Sequence, residues 1–331
     1  MNWPRSSSAS LWKVKMDIYE QIINYFLATP RVDAWEEMQA LFRHIASRRP
    51  DHWLLPVKAC EAVGGTPDQA IPAAVAFACS HISIILVDDM LDSDPRGEYQ
   101  RIGAPVAANL ACAFQAAGLT AITRCKGKAG ARLVALDSLN QMIITTALGQ
   151  YWDIQCPADE AAYWRIVQTK SSPFFGAALH IGALLGESSV ETAGKLKELG
   201  NLYGEMIQIH DDLNDTLAVP ANPDWIQGRL PLPILFAQTV DHVERARFLE
   251  LRREIADEGA LLEAQDILIR CGAVSYCVDQ LLRRHRSAQG IITALSLPRR
   301  NVLEALIEEV VAPVWKLFDA IEVSPPQAAI P

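Results

Sequence analysis

QAIPAAVAFACSHISIILVDDMLDSD, from Gln69 to Asp94, decides how this chain is read. It begins as an uncharged apolar run and ends in four acids, Asp88, Asp89, Asp92 and Asp94. A run this long without charge must be buried, and it predicts a core helix. The acids then fall at the C-terminal end of that helix, where the backbone dipole is itself negative and carboxylates are disfavoured. Asp88 and Asp92 are one turn apart at about 3.6 residues per turn, so they share a face, with Asp89 beside them. Such a cluster needs something positive to neutralise it. Oxygen ligands in this arrangement suit Mg²⁺, a hard ion that keeps several waters and takes a few carboxylates plus substrate phosphates. A membrane span of about 18–20 residues is the competing reading. The run carries Ser80, His81 and Ser83 and has no basic flank at its start, so a core helix is the better reading.

One acidic motif by itself is usually a solvated helix end. Here there is a second copy, EMIQIHDDLND, from Glu205 to Asp215, in which Asp211, Asp212 and Asp215 repeat the i, i+1, i+4 spacing after an apolar-biased run. If the two helices lie side by side, their acid triplets face each other across a cavity and hold several divalent ions.

The 331 residues, 50% hydrophobic and 21% charged, fit a single domain without linkers, with Met1–Ser10 and Ser324–Pro331 read as frayed ends. A net charge of −9 argues against a nucleic-acid partner. Seven cysteines without a CxxC pair point to reduced thiols in the cytoplasm. No apolar segment follows Arg5, so neither a signal peptide nor stable membrane insertion is expected.

Apolar residues recur at three and four throughout, and alternating β-branched runs are missing, so the fold class is all-α. Helices are expected over Leu11–Leu27, from an Asp33 cap to Ser47, and over Leu54–Val63, closed by Gly64-Gly65. The opening helix is expected to start near Asp68, with Pro72 in its first turn. Further helices are expected over Pro105–Cys125, Gly130–Tyr151, Pro157–Leu185 with a kink at Pro173, Ser189–Asp215, Val243–Glu258, Ala260–Arg284 and Arg299–Ile321. Together they predict long helices around a central cavity.

Two metal-filled triplets would attract a polyanion, and diphosphate fits. Basic side chains beside the motifs, Arg96, Arg101, Lys170 and Arg229, are candidates to complete its cage. The wall leading to Asp88 is Ala, Val, Ile and Phe, which suits a hydrocarbon tail. Metal-assisted departure of diphosphate from an allylic carbon yields a carbocation, and a dry cavity protects it from water.

These residues resemble the trans-isoprenoid diphosphate synthase (polyprenyl synthetase) family, an isoprenoid-synthase helical bundle with two DDxxD motifs facing a central cavity. The resemblance spans roughly Arg48 to Leu235. Gly149-Gln150 with Asp153 is similar to the family's GQxxD, Lys170-Ser171 to its Lys-Thr pair, Gln208 to the Gln of FQxxDD, and Asp224–Ala237 to its D-x-x-x-G-K-x-T-L-P-L segment, with Arg229 for Lys. It implies that Asp88, Asp89, Asp92, Asp211, Asp212 and Asp215 bind Mg²⁺, three ions in all, and that Arg101, Lys170 and Arg229 hold the allylic diphosphate. Gln150 and Gln208 would support the site, and the chain would form a homodimer.

Departures from the pattern concentrate where the family grips isopentenyl diphosphate. GKRxRP aligns with Arg48–Trp53, so Arg49 replaces Lys, Pro50 the first Arg and His52 the second. RRG becomes Arg101-Ile102-Gly103, and His81 alone is kept. The reading drawn from this erosion is a prenyltransferase-like terpene synthase, with chain elongation as the alternative. Side chains before Asp88, namely Ser83 and Ile84, then Ser80 and Cys79, lack the aromatics that close short-chain pockets. A substrate of C20 or longer is therefore expected, with Phe77 as the floor. Rival readings are weaker. His210-Asp211 alone does not make a metal phosphohydrolase, no Glu-x-x-His pairs suggest a di-iron bundle, and a non-catalytic partner subunit would not keep both triplets.

Overall fold

In the computed structural model, residues 17–155, 159–227 and 229–320 are described. Both ends expected to fray, and the start of the helix expected from Leu11, lie outside them. Among the described residues every regular element is helical. The α-helices are α1 (Ile18–Leu27), α2 (Glu36–Ala46), α3 (Leu55–Ala62), α4 (Pro67–Leu91), α5 (Tyr99–Ile102), α6 (Ala104–Thr123), α7 (Ala129–Asp153) and α8 (Glu160–Lys170). They continue as α9 (Ser172–Leu185), α10 (Val190–Leu217), α11 (Pro223–Gln227), α12 (Leu232–Thr239), α13 (Arg245–Leu251), α14 (Glu258–Arg270), α15 (Ala273–Ala294) and α16 (Asn301–Ala320).

α4 is the axis. Thr66 caps it in a reciprocal pair with Gln69, Pro67 opens the first turn, and Pro72 therefore falls in the second turn, not the first. Its Ala70–Cys79 segment is buried on every side, between α6, α3 and α9. Mean hydropathy over its most apolar window is 2.1, enough for a membrane span by composition, yet 78% of that window is buried inside the protein. α10 runs along α9, so the C-terminal ends of α4 and α10 carry the two acid triplets to one end of the bundle.

Several expected helices are divided. The kink at Pro173 is a full break: α8 stops at Lys170, and α9 restarts with Ser172 and Pro173 in its first turn, where a missing N–H does no harm. Ala260–Arg284 is two helices because Gly272 adopts φ +87, the left-handed conformation that closes α14. The expected Val243–Glu258 helix shortens to α13. Asp33 lies in a one-turn 3₁₀ segment, and Trp35 is the residue that precedes α2. Gly64, at φ +96, ends α3 as expected.

Helix spacing is set by glycine. A Cβ on Gly200 would lie 2.4 Å from the carbonyl oxygen of Phe175, so α10 packs backbone-to-backbone on α9. Gly200→Ala should therefore destabilise the protein by about 1–3 kcal/mol through overpacking, read as a lower midpoint in thermal unfolding.

Candidate active site

Burial places the carboxylates in conflict with their own charge. Asp88 sits at the end of α4, with its Oδ1 buried and accepting no hydrogen bond from the protein. Burial, reinforced by Asp92 and Asp153, raises its pKa even with Lys170 alongside. Burial also raises Asp89, Asp211 and Asp215. Lys170, at the α8–α9 break, answers from inside the cluster, 2.5 Å from Asp153 and 3.4 Å from Asp88. Burial works against the lysine's charge, but those two acids raise its pKa. Arg229 pairs with Asp92 and lies 3.7 Å from Asp224. Arg96 pairs with Asp94 at 2.8 Å and adds positive potential at both Asp89 and Asp215, one from each triplet.

Gly149 explains why Asp153 reaches Lys170. A Cβ there would lie 2.3 Å from the backbone nitrogen of Lys170, so only glycine lets α7 touch the break between α8 and α9. Beneath the acids lies a cavity of about 370 Å³, lined by His52, His81, Ile84, Asp88, Gln150, Lys170, Gln208 and Asp211 among others. Asp88 from the first motif and Asp211 from the second thus meet on one cavity. Aliphatic and aromatic walls with a few converging polar groups are the usual composition of a small-molecule site.

Three expectations need correction. Ser83 does not line the cavity. It shares a helix row with Cys79, whose Cβ would lie 3.3 Å from a Cβ on Gly118 of α6, and the cavity face is Ser80, Ile84, Val87 and Asp88. Phe77 is not the floor; Phe174 lines the cavity, with Phe77 packed edge-on behind it at 5.2 Å. Arg101 is largely exposed, pairs with Glu98 and lines no part of the cavity.

Asp212 behaves unlike its neighbours. Its oxygens accept hydrogen bonds from Tyr163 Oη at 2.7 Å, Leu232 N at 2.7 Å and Gln208 Nε2 at 2.8 Å. Even so, burial pushes its pKa up to about 6. It faces a smaller cleft of about 110 Å³ that also holds Arg229 and Asp224, and it ties α10 to α8 and α12. Ser171 Oγ donates to Gln208 Oε1 at 2.7 Å and extends the network to the helix break. Arg284 of α15 adds a buttress, pairing with buried Glu205 at 2.6 Å and stacking on Trp164 at 3.7 Å. Tyr163, Arg284 and Phe174 carried no motif signal; their roles come from contacts distant in sequence.

The donor set fits Mg²⁺. All the motif groups are carboxylates, the buried Asp88 Oδ1 accepts no hydrogen bond and has only Lys170 beside it at 3.4 Å, and Lys170 and Arg229 are the cations already among these acids. Among the described residues no three His, Cys, Asp or Glu side chains converge on one ion, so water and diphosphate would complete the shell. His210 contacts Asn214, His180 contacts Ser138 and His52 packs on His81, and among the described residues no histidine joins the acids in a metal-holding group.

The two kinds of aspartate separate by experiment. Asp212→Ala strands the Tyr163 hydroxyl and the Leu232 N–H, and it should lower stability by about 1–3 kcal/mol per unsatisfied group, read by thermal unfolding. Asp211→Ala should leave the unfolding midpoint nearly unchanged while abolishing Mg²⁺-dependent diphosphate release.

Comparison with known proteins bears on the same residues. The family model described as "Polyprenyl synthetase" matches residues 43–267. A short chain isoprenyl diphosphate synthase of Methanothermobacter thermautotrophicus is 27% identical over 251 residues, covering 71% of this chain and 77% of that protein. The geranylgeranyl pyrophosphate synthetase of Pyrococcus horikoshii superposes with a TM-score of 0.76 at 23% identity, covering 89% of this chain and 94% of that one. A polyprenyl synthase from Caulobacter crescentus, complexed with calcium and isoprenyl diphosphate, gives a TM-score of 0.74 at 20% identity, covering 89% and 93%. With one acid of each triplet, Asp88 and Asp211, on one largely apolar cavity and a family match over most of its length, this chain belongs to the polyprenyl synthetase family of prenyltransferase enzymes.

Proposed function

We propose that this protein is a divalent-metal-dependent prenyl diphosphate synthase. It ionises an allylic prenyl diphosphate at the acid cage and joins the cation to isopentenyl diphosphate. The observation that carries this is the meeting of Asp88, Asp211 and Lys170 at the polar end of one apolar cavity. Mg²⁺ on Asp88, Asp92 and Asp211, with flanking support from Asp89 and Asp215, would neutralise the departing diphosphate. Three ions are the number this reading assigns. Lys170 and Arg229 would exchange carboxylate partners for phosphate oxygens. The names of the relatives support elongation better than the terpene-forming outcome expected from the eroded segment, and the Caulobacter complex supports a divalent ion with a diphosphate ligand.

One observation favours the second reading, a terpene synthase that uses a single substrate. Arg49 is turned outward onto Asp17 at 2.9 Å, and His52 stands at the cavity where elongation would need a cation. Incubation with Mg²⁺ and C10 to C25 allylic diphosphates, with and without isopentenyl diphosphate, discriminates the two. Elongation gives products longer by five carbons only when isopentenyl diphosphate is present, and excess EDTA abolishes them. A hydrocarbon or alcohol formed in equal yield without isopentenyl diphosphate would establish the second reading instead.

A homodimer fits Ile144, Leu148 and Tyr151, which recur at turn spacing on α7 and are exposed beside the half-buried α6. A cytoplasmic, reducing setting fits the six described cysteines, all free thiols. For chain length, the small wall at Ser80 and Ile84 supports a substrate of C20 or longer. Ile84→Phe should block chains beyond C15 while sparing C10, measured by product length.

A further inference from the structure

A second cavity lies at the opposite end of α4 from the acids. Its volume is about 780 Å³, of the size that small-molecule sites have, and no residue lines both it and the acid-bearing cavity. Ile71 and Pro72 line the distal cavity and Asp88 the other, and the helix between Pro72 and Asp88 is about 24 Å long at about 1.5 Å per residue. The distal lining combines two chemistries. Tyr25, Ile71, Pro72, Leu184 and Leu185 give it apolar surface, and the turn from α6 into α7 gives it four cations, Arg124, Lys126, Lys128 and Arg132.

Two of these cations are fixed without being neutralised. Arg124 Nη1 donates to the Ala28 carbonyl at 3.0 Å, which ties the end of α6 to the end of α1. Arg132 Nη1 donates to the Cys125 carbonyl at 3.1 Å. Among the described residues none of the four cations forms an ion pair, although Asp68 and Glu187 lie on the same lining. The first turn of α7 adds no acid. Lys170 and Arg229, by contrast, already sit against carboxylates. A guanidinium carries five N–H donors, so one bond to a carbonyl leaves each arginine free to grip a phosphate. We propose that this distal cavity binds the phosphate or diphosphate ester of a long hydrocarbon chain, with its head on Arg124 and Arg132 and its chain on the apolar lining. A neutral lipid would leave the cations unanswered, and a bare phosphate ion would leave the apolar lining wet. Residues 1–16 carry Arg5, Lys13 and Lys15 and no acid, the wrong charge to fill this cavity. Two sources share the chemistry, a prenyl diphosphate and a single-chain phospholipid. The site goes beyond the proposed activity, and binding to it needs no turnover.

The test titrates the full chain calorimetrically, in excess EDTA, with geranylgeranyl diphosphate, lysophosphatidic acid and inorganic diphosphate. Without divalent ions the acid cage repels a diphosphate, so the metal-independent binding is read by itself. At least one chain-bearing probe should bind saturably, about tenfold or more tighter than inorganic diphosphate because its chain is buried, and the tighter of the two identifies the source. Arg124→Ala and Arg132→Ala should each weaken that binding about tenfold, the size of one lost charged hydrogen bond. Lys126→Glu with Lys128→Glu changes two exposed side chains, should weaken it at least as much, and carries the test if an arginine variant loses the helical circular-dichroism spectrum. With Mg²⁺ and allylic substrates, all these variants should release diphosphate at the wild-type rate. No binding by the wild type, equal affinity for inorganic diphosphate, or binding unchanged in the folded variants overturns the proposal. Variants that lose binding and diphosphate release together also overturn it, because the anion then belongs to the catalytic cavity. Wild-type binding in EDTA without diphosphate release in Mg²⁺ would leave the distal site standing and overturn the proposed activity instead.

Discussion

Like charge held at one end of a buried bundle is the constraint on which this structure turns. α4 and α10 bring aspartates to a place where both the helix dipole and desolvation oppose ionisation. Lys170 and Arg229 relieve part of the strain, and each is supplied by an interruption in regular structure: the α8–α9 break for Lys170, the loop after α11 for Arg229. The remaining demand for positive charge is what a metal–diphosphate complex would meet. Pairing lysine and arginine with these acids also keeps both cations in position before any ligand arrives.

Apolar packing supports that charged end in two ways. α4 is shielded by α3, α6 and α9, so the ionising end of a substrate and its hydrocarbon tail would occupy one continuous cavity. Gly149 and Gly200 bring backbones into contact, which allows the lysine at the helix break to reach acids from α4 and α7 together. Asp212 also ties α10 to α8 and α12 through its hydrogen bonds with Tyr163 and Leu232. Within one DDxxD motif, adjacent aspartates thus have different surroundings, Asp211 on the larger cavity and Asp212 hydrogen-bonded between helices.

The eroded segment from Arg48 to Trp53 is the most individual part of the site. Arg49 is turned outward onto Asp17 and His52, whose pKa burial lowers, lines the cavity, so a neutral ring stands where the family pattern has a cation, while both acid triplets are kept. Trp53, His81, Phe174 and Phe77 pack ring against ring on that side of the cavity.

The amino-acid sequence by itself determined the all-α class, the burial of the apolar run Ala70–Cys79, the paired acid triplets and the basic residues beside them. Each of these is local, written in periodicity, charge spacing or a short motif. Helix breaks at Ser171 and Gly272 were less legible, because proline and glycine mark an interruption without saying whether it bends or ends a helix. Tertiary structure alone decided that Ser83 is buried off the cavity, that Phe174 and not Phe77 lines it, that Arg101 points to solvent and that Asp212 is enclosed by Tyr163, Gln208 and Leu232. A turn of about 100° per residue separates Ser83 from Ile84, so which of them meets the cavity depends on how α4 is rotated against α6. That rotation is set by packing between distant segments, and no single stretch of sequence contains it.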